Sequence, residues 1–170
     1  MNVPKRKELF KDNAIYHVYN RGFEKNHIFR YERDYGRFLK TMKKYTEIFS
    51  GIKIYSYCLL PNHFHIILHS SNDSSDISDF MRKLQQSYVL YYRNSHLDNV
   101  VKWPFFEWRF KAKIIDNKQY LAQCIGYVNY NPLRHGIVDS IDMYKWSSYH
   151  QIDTSKIISY KDLILSELEI

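Results

Sequence analysis

Two apolar runs that meet at Pro61-Asn62 constrain this chain more than any other feature. Ile54 to Leu60 leads into the dipeptide, and Phe64 to Leu68 leads out of it. Proline presets φ and asparagine tolerates the remaining turn angles, so Pro-Asn is turn chemistry. Apolar runs of this length bounded by a turn read as strands, which predicts a β-hairpin over about 52–60 and 63–69. The outgoing strand opens His63-Phe64-His65. Strand side chains alternate between faces, so the two histidines share one face and Phe64 takes the other. Two imidazoles one pleat repeat apart can bind one divalent cation. The same spacing also suits histidines that merely fill hydrogen-bonded places on a sheet, and a bare His-x-His does not choose between the two.

The rest of the chain supplies partners for that hairpin. Ala14 to Tyr19 predicts a first strand, ended by Asn20-Arg21-Gly22, with Gly22 free to take a positive φ. Tyr35, Phe38, Leu39, Met42, Tyr45 and Phe49 recur at helical spacing and predict a helix from Glu32 to Phe49. Ser75 or Asp76 can cap a second helix, Ile77 to about Tyr92, followed by a loop. Trp108 to Ile115 alternates as a half-buried strand, with Arg109, Lys111 and Lys113 on one face. That basic stripe can follow a phosphate backbone, or it can simply blunt an exposed sheet edge. Asp116, with Gln119 three residues on, can cap a third helix that Pro132 stops near Tyr130. Residues 133–158 read as irregular, and a short helix over about 160–168 closes the chain. The order predicts an α+β domain in which helices pack a largely antiparallel sheet. This is the split-βαβ, ferredoxin-like arrangement of RNA-recognition modules. A chain of 170 residues predicts one domain over 1–170, with its core at about 14–150 between a basic lead-in and a tail.

Composition narrows the function classes. The net charge is +7, and 17% of residues are aromatic, including 16 Tyr and 10 Phe. A basic, aromatic-rich surface suits a polyanion with stackable bases, above all single-stranded nucleic acid. Trp103, Phe105, Phe106 and Trp108 could stack such bases or simply pack together. Cys58 and Cys124 stand alone in apolar segments, which excludes a disulfide framework and a cysteine-rich zinc site. The N-terminal residues contain no apolar leader core, and no stretch reaches membrane-spanning length, so a cytoplasmic protein is expected.

Tyr127 lies on the third helix, about 110° from the centre of its apolar face, and Asn131 lies about 40° further round. A phenol and a carboxamide therefore project from one flank.

Several segments resemble the REP-associated tyrosine transposases, members of the HUH single-strand tyrosine transposase superfamily. They are Tyr16 to Gly22, Phe29, Asp34, LPNHFHIILHS and GYVNYNPLRHGIV, in that order. The most specific pieces are Pro61 to His65 and Tyr127 to Pro132. The resemblance implies an RNA-recognition-like fold with the HUH motif on a central strand and the nucleophile on a following helix. It implies His63 and His65 as metal ligands, Asn131 as the third ligand, Tyr127 as the nucleophile, and Mg²⁺ or Mn²⁺ as the cation. It also implies cleavage and rejoining of single-stranded DNA near a hairpin through a 5′-phosphotyrosine link. Arg21, Arg109, Lys111 and Lys113 are the candidate DNA contacts. Some members of the superfamily dimerise and exchange their tyrosine helices, so a homodimer and attack in trans stay open. The protein would be cytoplasmic and nucleoid-associated when on DNA. Two other classes compete: a non-catalytic nucleic-acid-binding module on the same fold, and a metal-dependent hydrolase that uses water instead of Tyr127.

Overall fold

The computed structural model describes residues 10–71, 75–96 and 104–151. Trp103, the Lys5-Arg6-Lys7 lead-in and the expected helix near 160–168 lie outside them. Four strands form one sheet: β1 (Ala14–Arg21), β2 (Ile52–Leu60), β3 (His63–Ser70) and β4 (Lys111–Ile115). Their order is β2-β3-β1-β4, and each neighbouring pair runs antiparallel. Among the described residues three α-helices accompany them: α1 (Glu32–Ile48), α2 (Ser75–Ser95) and α3 (Lys118–Arg134). The expected α+β sheet with packed helices is what the chain forms. Among the described residues no helix is long and apolar enough to cross a membrane.

Strand alternation sorts the side chains into two layers. Tyr16 and Val18 of β1, Tyr57 and Leu59 of β2, and Phe64, Ile66 and Leu68 of β3 form one core with Phe38 of α1 and Phe80, Leu84 and Tyr88 of α2. The opposite face carries Cys58, Leu60, Ile67 and Ile115, which pack with Cys124 and Val128 of α3. Each fully buried Phe, Leu or Ile stabilises the fold by roughly 1.5–3 kcal/mol. On this second face the far end is apolar. The near end carries His17, Tyr19, Arg21, His63 and His65, cross-strand neighbours in the register Tyr19↔His65 and Arg21↔His63.

A closed ring of hydrogen bonds seats α3. Asn129 Nδ2 donates to Ser56 Oγ at 2.9 Å, Ser56 and Ser148 hydroxyls meet at 2.9 Å, and Ser148 Oγ donates to Asn129 Oδ1 at 3.1 Å. The ring ties α3 to β2 and to the segment that covers the outer edge of β2. There Leu59 N–H donates to Trp146 O and Ser148 N–H to Tyr57 O.

Four expectations about where elements begin and end need correcting. Helix α2 runs on to Ser95, past the expected end near Tyr92. The N-cap of α3 is Asn117, not Asp116; its side chain accepts the Tyr120 N–H at 2.7 Å. Pro132 lies inside α3, which continues to Arg134. Proline supplies no N–H to the Val128 carbonyl, and the Asn131 side-chain amide lies 3.5 Å from that oxygen in its place. Residues 108–110 precede β4, because Asn20 Nδ2 donates to the Trp108 carbonyl at 3.0 Å and the ladder with β1 starts only at Lys111.

Gly22 has φ −63°, so it serves by its lack of a side chain and not by a positive φ. A Cβ there would strike the Asn26 carbonyl and lie 2.9 Å from Ile28 Cγ2. Its N–H donates to Asn62 O at 2.8 Å, which pins the hairpin turn to the end of β1. Gly22→Ala is therefore expected to destabilise the chain by about 1–3 kcal/mol, the usual cost of overpacking. Urea unfolding of the pair measures this, and coincident midpoints would count against the close approach.

Candidate active site

The polar end of the sheet opens into a cleft of about 570 Å³ lined by His63, His65, Tyr19, Tyr127, His135 and the 107–109 segment. His63 and His65 share one face as the alternation requires, with ring centroids 5.1 Å apart. Tyr127 stands 38% exposed on the flank of α3. Its ring meets that of His65 edge-on, 5.9 Å between centroids at 90°. The Arg134 guanidinium, two turns on, sits 5.1 Å from the centre of the Tyr127 ring. Residues 62 positions apart in sequence thus reach one cleft on two elements whose relative seat the Asn129 ring holds.

Each histidine of the pair has its Nδ1 engaged. His63 Nδ1 lies 2.6 Å from Asn62 Oδ1, while Asn62 Nδ2 donates to Lys25 O at 3.3 Å. An amide oxygen only accepts, so His63 carries its proton on Nδ1 and keeps a lone pair on Nε2. His65 Nδ1 lies 2.8 Å from His17 Nε2 in a contact buried on both sides. Burial pushes His63 down to about 4, helped by the neighbouring His135 and Arg21. Burial likewise pushes His17 down to about 4, with Lys113 across the strand pair adding to it. His65 lies well below its ordinary value, from burial first and then from the surrounding histidines. At neutral pH all three are uncharged, which is the state that donates to a cation.

Two neutral, oriented imidazoles facing a polar cleft fit a divalent cation. Among the described residues, no three His, Cys, Asp or Glu side chains gather closely enough to hold a metal ion by themselves. The histidine pair would leave the remaining positions to water, an amide oxygen or a phosphate oxygen. Asn131, expected to project beside Tyr127, is instead 1% exposed and is not part of the cleft lining. Its amide nitrogen donates back to Tyr127 O at 3.0 Å, beside the carbonyl that Pro132 leaves short of a donor. His135 takes the cleft position, its ring 5.4 Å from that of His63. Sequence reasoning missed it, although an imidazole four residues beyond Asn131 falls on the same flank of the helix.

The basic residues divide. Arg109 and Lys111 line the cleft. Lys113 pairs in register with His17, one step further along β4. Arg21 lines the cleft too, but its guanidinium grips Glu107 through Nε at 2.5 Å and Nη2 at 2.7 Å. That bidentate contact holds the Glu107 carboxyl below the usual carboxylate range. It anchors the 105–108 segment together with Glu107 N–H to Arg21 O and Phe23 N–H to Phe105 O. The anchored segment presents Trp108 at 72% exposure, whereas Phe105 is buried and packs on Tyr92.

Comparison with known proteins gives a consistent picture. The profile of a family described as "Transposase IS200 like" matches residues 10–131. A protein of Haemophilus influenzae named as a REP-associated tyrosine transposase is 24% identical over 102 residues. That match spans 55% of this chain and 57% of the relative, so the chain spans little more than half of the relative's length. The fold superimposes with a TM-score of 0.73 on a solved REP-associated tyrosine transposase bound to a REP hairpin. That likeness covers 88% of this chain and 84% of the other at 15% identity.

The depressed histidines set a pH dependence for the metal-free chain. Unfolded, these imidazoles take up protons near pH 6.5; folded, His17 and His63 do so only near 4. Between those values the unfolded state binds more protons, so stability falls as pH falls from about 6.5 to about 4. Each such histidine contributes up to about 1.4 kcal/mol per pH unit. Urea midpoints measured in a chelator should drop between about pH 7 and about pH 5, and drop less in His63→Asn. An unchanged slope in that variant would contradict the buried, neutral assignment.

Proposed function

This chain belongs to the IS200-like transposase family, and on that premise we propose that it is a tyrosine transposase acting on single-stranded DNA beside a hairpin. The observation that carries the reading is the shared cleft: the Tyr127 ring stands 5.9 Å from that of His65, and His63, 5.1 Å from His65, lines the same cleft. Tyr127 Oη attacks the phosphorus of a phosphodiester, a P–O bond forms to the phenol, and the bond to the departing 3′ oxygen breaks. The phenol's proton leaves through water and ends on the 3′-hydroxyl. The product is a 5′-phosphotyrosine link that conserves the bond's energy, so rejoining is the same step reversed with a second 3′-hydroxyl and needs no ATP.

His63 and His65 would hold a Mg²⁺ or Mn²⁺ ion, with nitrogen ligands favouring Mn²⁺. When bound, the cation supplies Lewis-acid stabilisation of charge on a phosphate oxygen. Asn131 as third ligand would require its amide to turn from the helix backbone towards the cleft. Arg109, Lys111 and Lys113 track the DNA backbone, and Arg21 meets it through the face not held by Glu107. Trp108 offers its exposed indole to an unpaired base. The histidines and tyrosine of one chain meet in one cleft, which supports attack in cis and requires no dimer. The compartment this chemistry needs is the cytoplasm, with the protein at the nucleoid when on DNA.

A denaturing gel with end-labelled single-stranded hairpin DNAs tests the reading. A protease-sensitive adduct that needs Mn²⁺ or Mg²⁺ and vanishes in Tyr127→Phe is expected, with DNA affinity nearly unchanged. His63→Ala and His65→Ala should abolish it. Cleavage that survives Tyr127→Phe would turn the reading to a hydrolase, and binding without cleavage to a non-catalytic module. Trp108→Ala should weaken binding of single strands by about 5- to 100-fold, the usual worth of one base stack, as read by fluorescence anisotropy.

A further inference from the structure

His17 is a buried histidine that the cleavage chemistry does not use. It sits on β1, 9% exposed, and faces the same side of the sheet as His65. Its Nε2 meets His65 Nδ1 at 2.8 Å, and the two rings lie 5.0 Å apart, tilted by 33°. The Tyr127 ring closes over the pair, 6.2 Å from that of His17. The hydrogen bond holds one proton, on one nitrogen or the other. With the proton on His65 Nδ1, His17 accepts and the lone pair of His65 Nε2 is free. With it on His17 Nε2, His65 accepts and carries its own proton on Nε2, where that nitrogen cannot bind a cation.

His63 faces no such choice, because Asn62 Oδ1 can only accept. The two histidines are therefore held by unlike partners: an amide that permits one tautomer, and an imidazole that permits two. Resting on the metal-binding reading of the His63–His65 pair, we propose that His17 is a positioning residue for the cation site. Its Nε2 accepts the His65 Nδ1 proton, which fixes the ring's orientation and keeps Nε2 of His65 available as a ligand. Outer partners of this kind typically change metal affinity by about 10- to 100-fold when removed. Cation binding in turn selects one of the two proton arrangements and transmits it to the strand next to β4.

Two variants of the full chain separate this role from packing. His17→Phe keeps a ring in the space but has no acceptor. His17→Gln places an amide oxygen close to where Nε2 stood. Free Mn²⁺ read by electron paramagnetic resonance should show affinity about 10- to 100-fold weaker in His17→Phe. It should return to within about threefold of wild type in His17→Gln. Imidazole ¹⁵N shifts in the Mg²⁺-loaded wild type should show His65 protonated at Nδ1. Wild-type Mn²⁺ affinity in His17→Phe, or His65 protonated at Nε2 with Mg²⁺ bound, would overturn the proposal. Should His17→Phe fail to fold, the ¹⁵N measurement and His17→Gln decide alone. None of these readouts needs DNA cleavage. A chain that binds Mn²⁺ as described but forms no phosphotyrosine would overturn the transposase reading and leave the role of His17 standing.

Discussion

A strand that buries both of its faces can place polar groups only where its cover runs out. β3 is such a strand: Phe64, Ile66 and Leu68 lie against α1 and α2, and Ile67 lies under α3. The two cleft histidines, His63 and His65, fall at its first and third positions, at the end that α3 leaves open. Everything chemical in the molecule depends on that boundary. The imidazoles are dry enough to stay neutral and open enough to face a cleft. Buried deeper, they would have no access; fully exposed, they would be protonated more readily and held less firmly.

The second determinant is how α3 sits. Its apolar residues, Cys124 and Val128, cover the far half of the sheet face, which leaves Tyr127 on the flank beside the histidines. Hydrophobic packing alone tolerates rotation and sliding of a helix, because it is not directional. The ring of hydrogen bonds through Asn129, Ser56 and Ser148 is directional and buried, and it removes that freedom. The seat of the nucleophile is thus set by polar groups that never touch the cleft.

The hairpin, the three helices as elements and the shared face of His63 and His65 were legible, because periods of 2 and 3.6 are printed directly in apolar spacing. So was the flank position of Tyr127, which needed only the helical angle. Pairings between distant segments were not legible. Alternation puts His17 on a strand but cannot say that its hydrogen-bond partner is His65, which lies diagonally across from it on β3. Nor does it show that Trp108 would be held off β4 by Asn20. Helix angle placed Asn131 beside Tyr127, yet its amide turns back on the helix backbone, to Tyr127 O at 3.0 Å. Gly22 was legible as special, but for the wrong reason: the constraint was the space beside Asn26 and Ile28, which only the folded chain creates.

The hydrogen-bonded ring bears on how such a chain drifts in sequence. Its three members come from residues 56, 129 and 148, on separate segments, and each gives and receives one bond. Replacing one leaves each of the other two one buried bond short, though Ser148 keeps the Tyr57 N–H and Asn129 the Ile125 carbonyl, so the first step costs more than the later ones. Substitution at these positions should therefore be inherited as a set, with the triad either kept whole or exchanged together for apolar residues. Related chains would then divide into two discrete classes at these positions, with few intermediates between them.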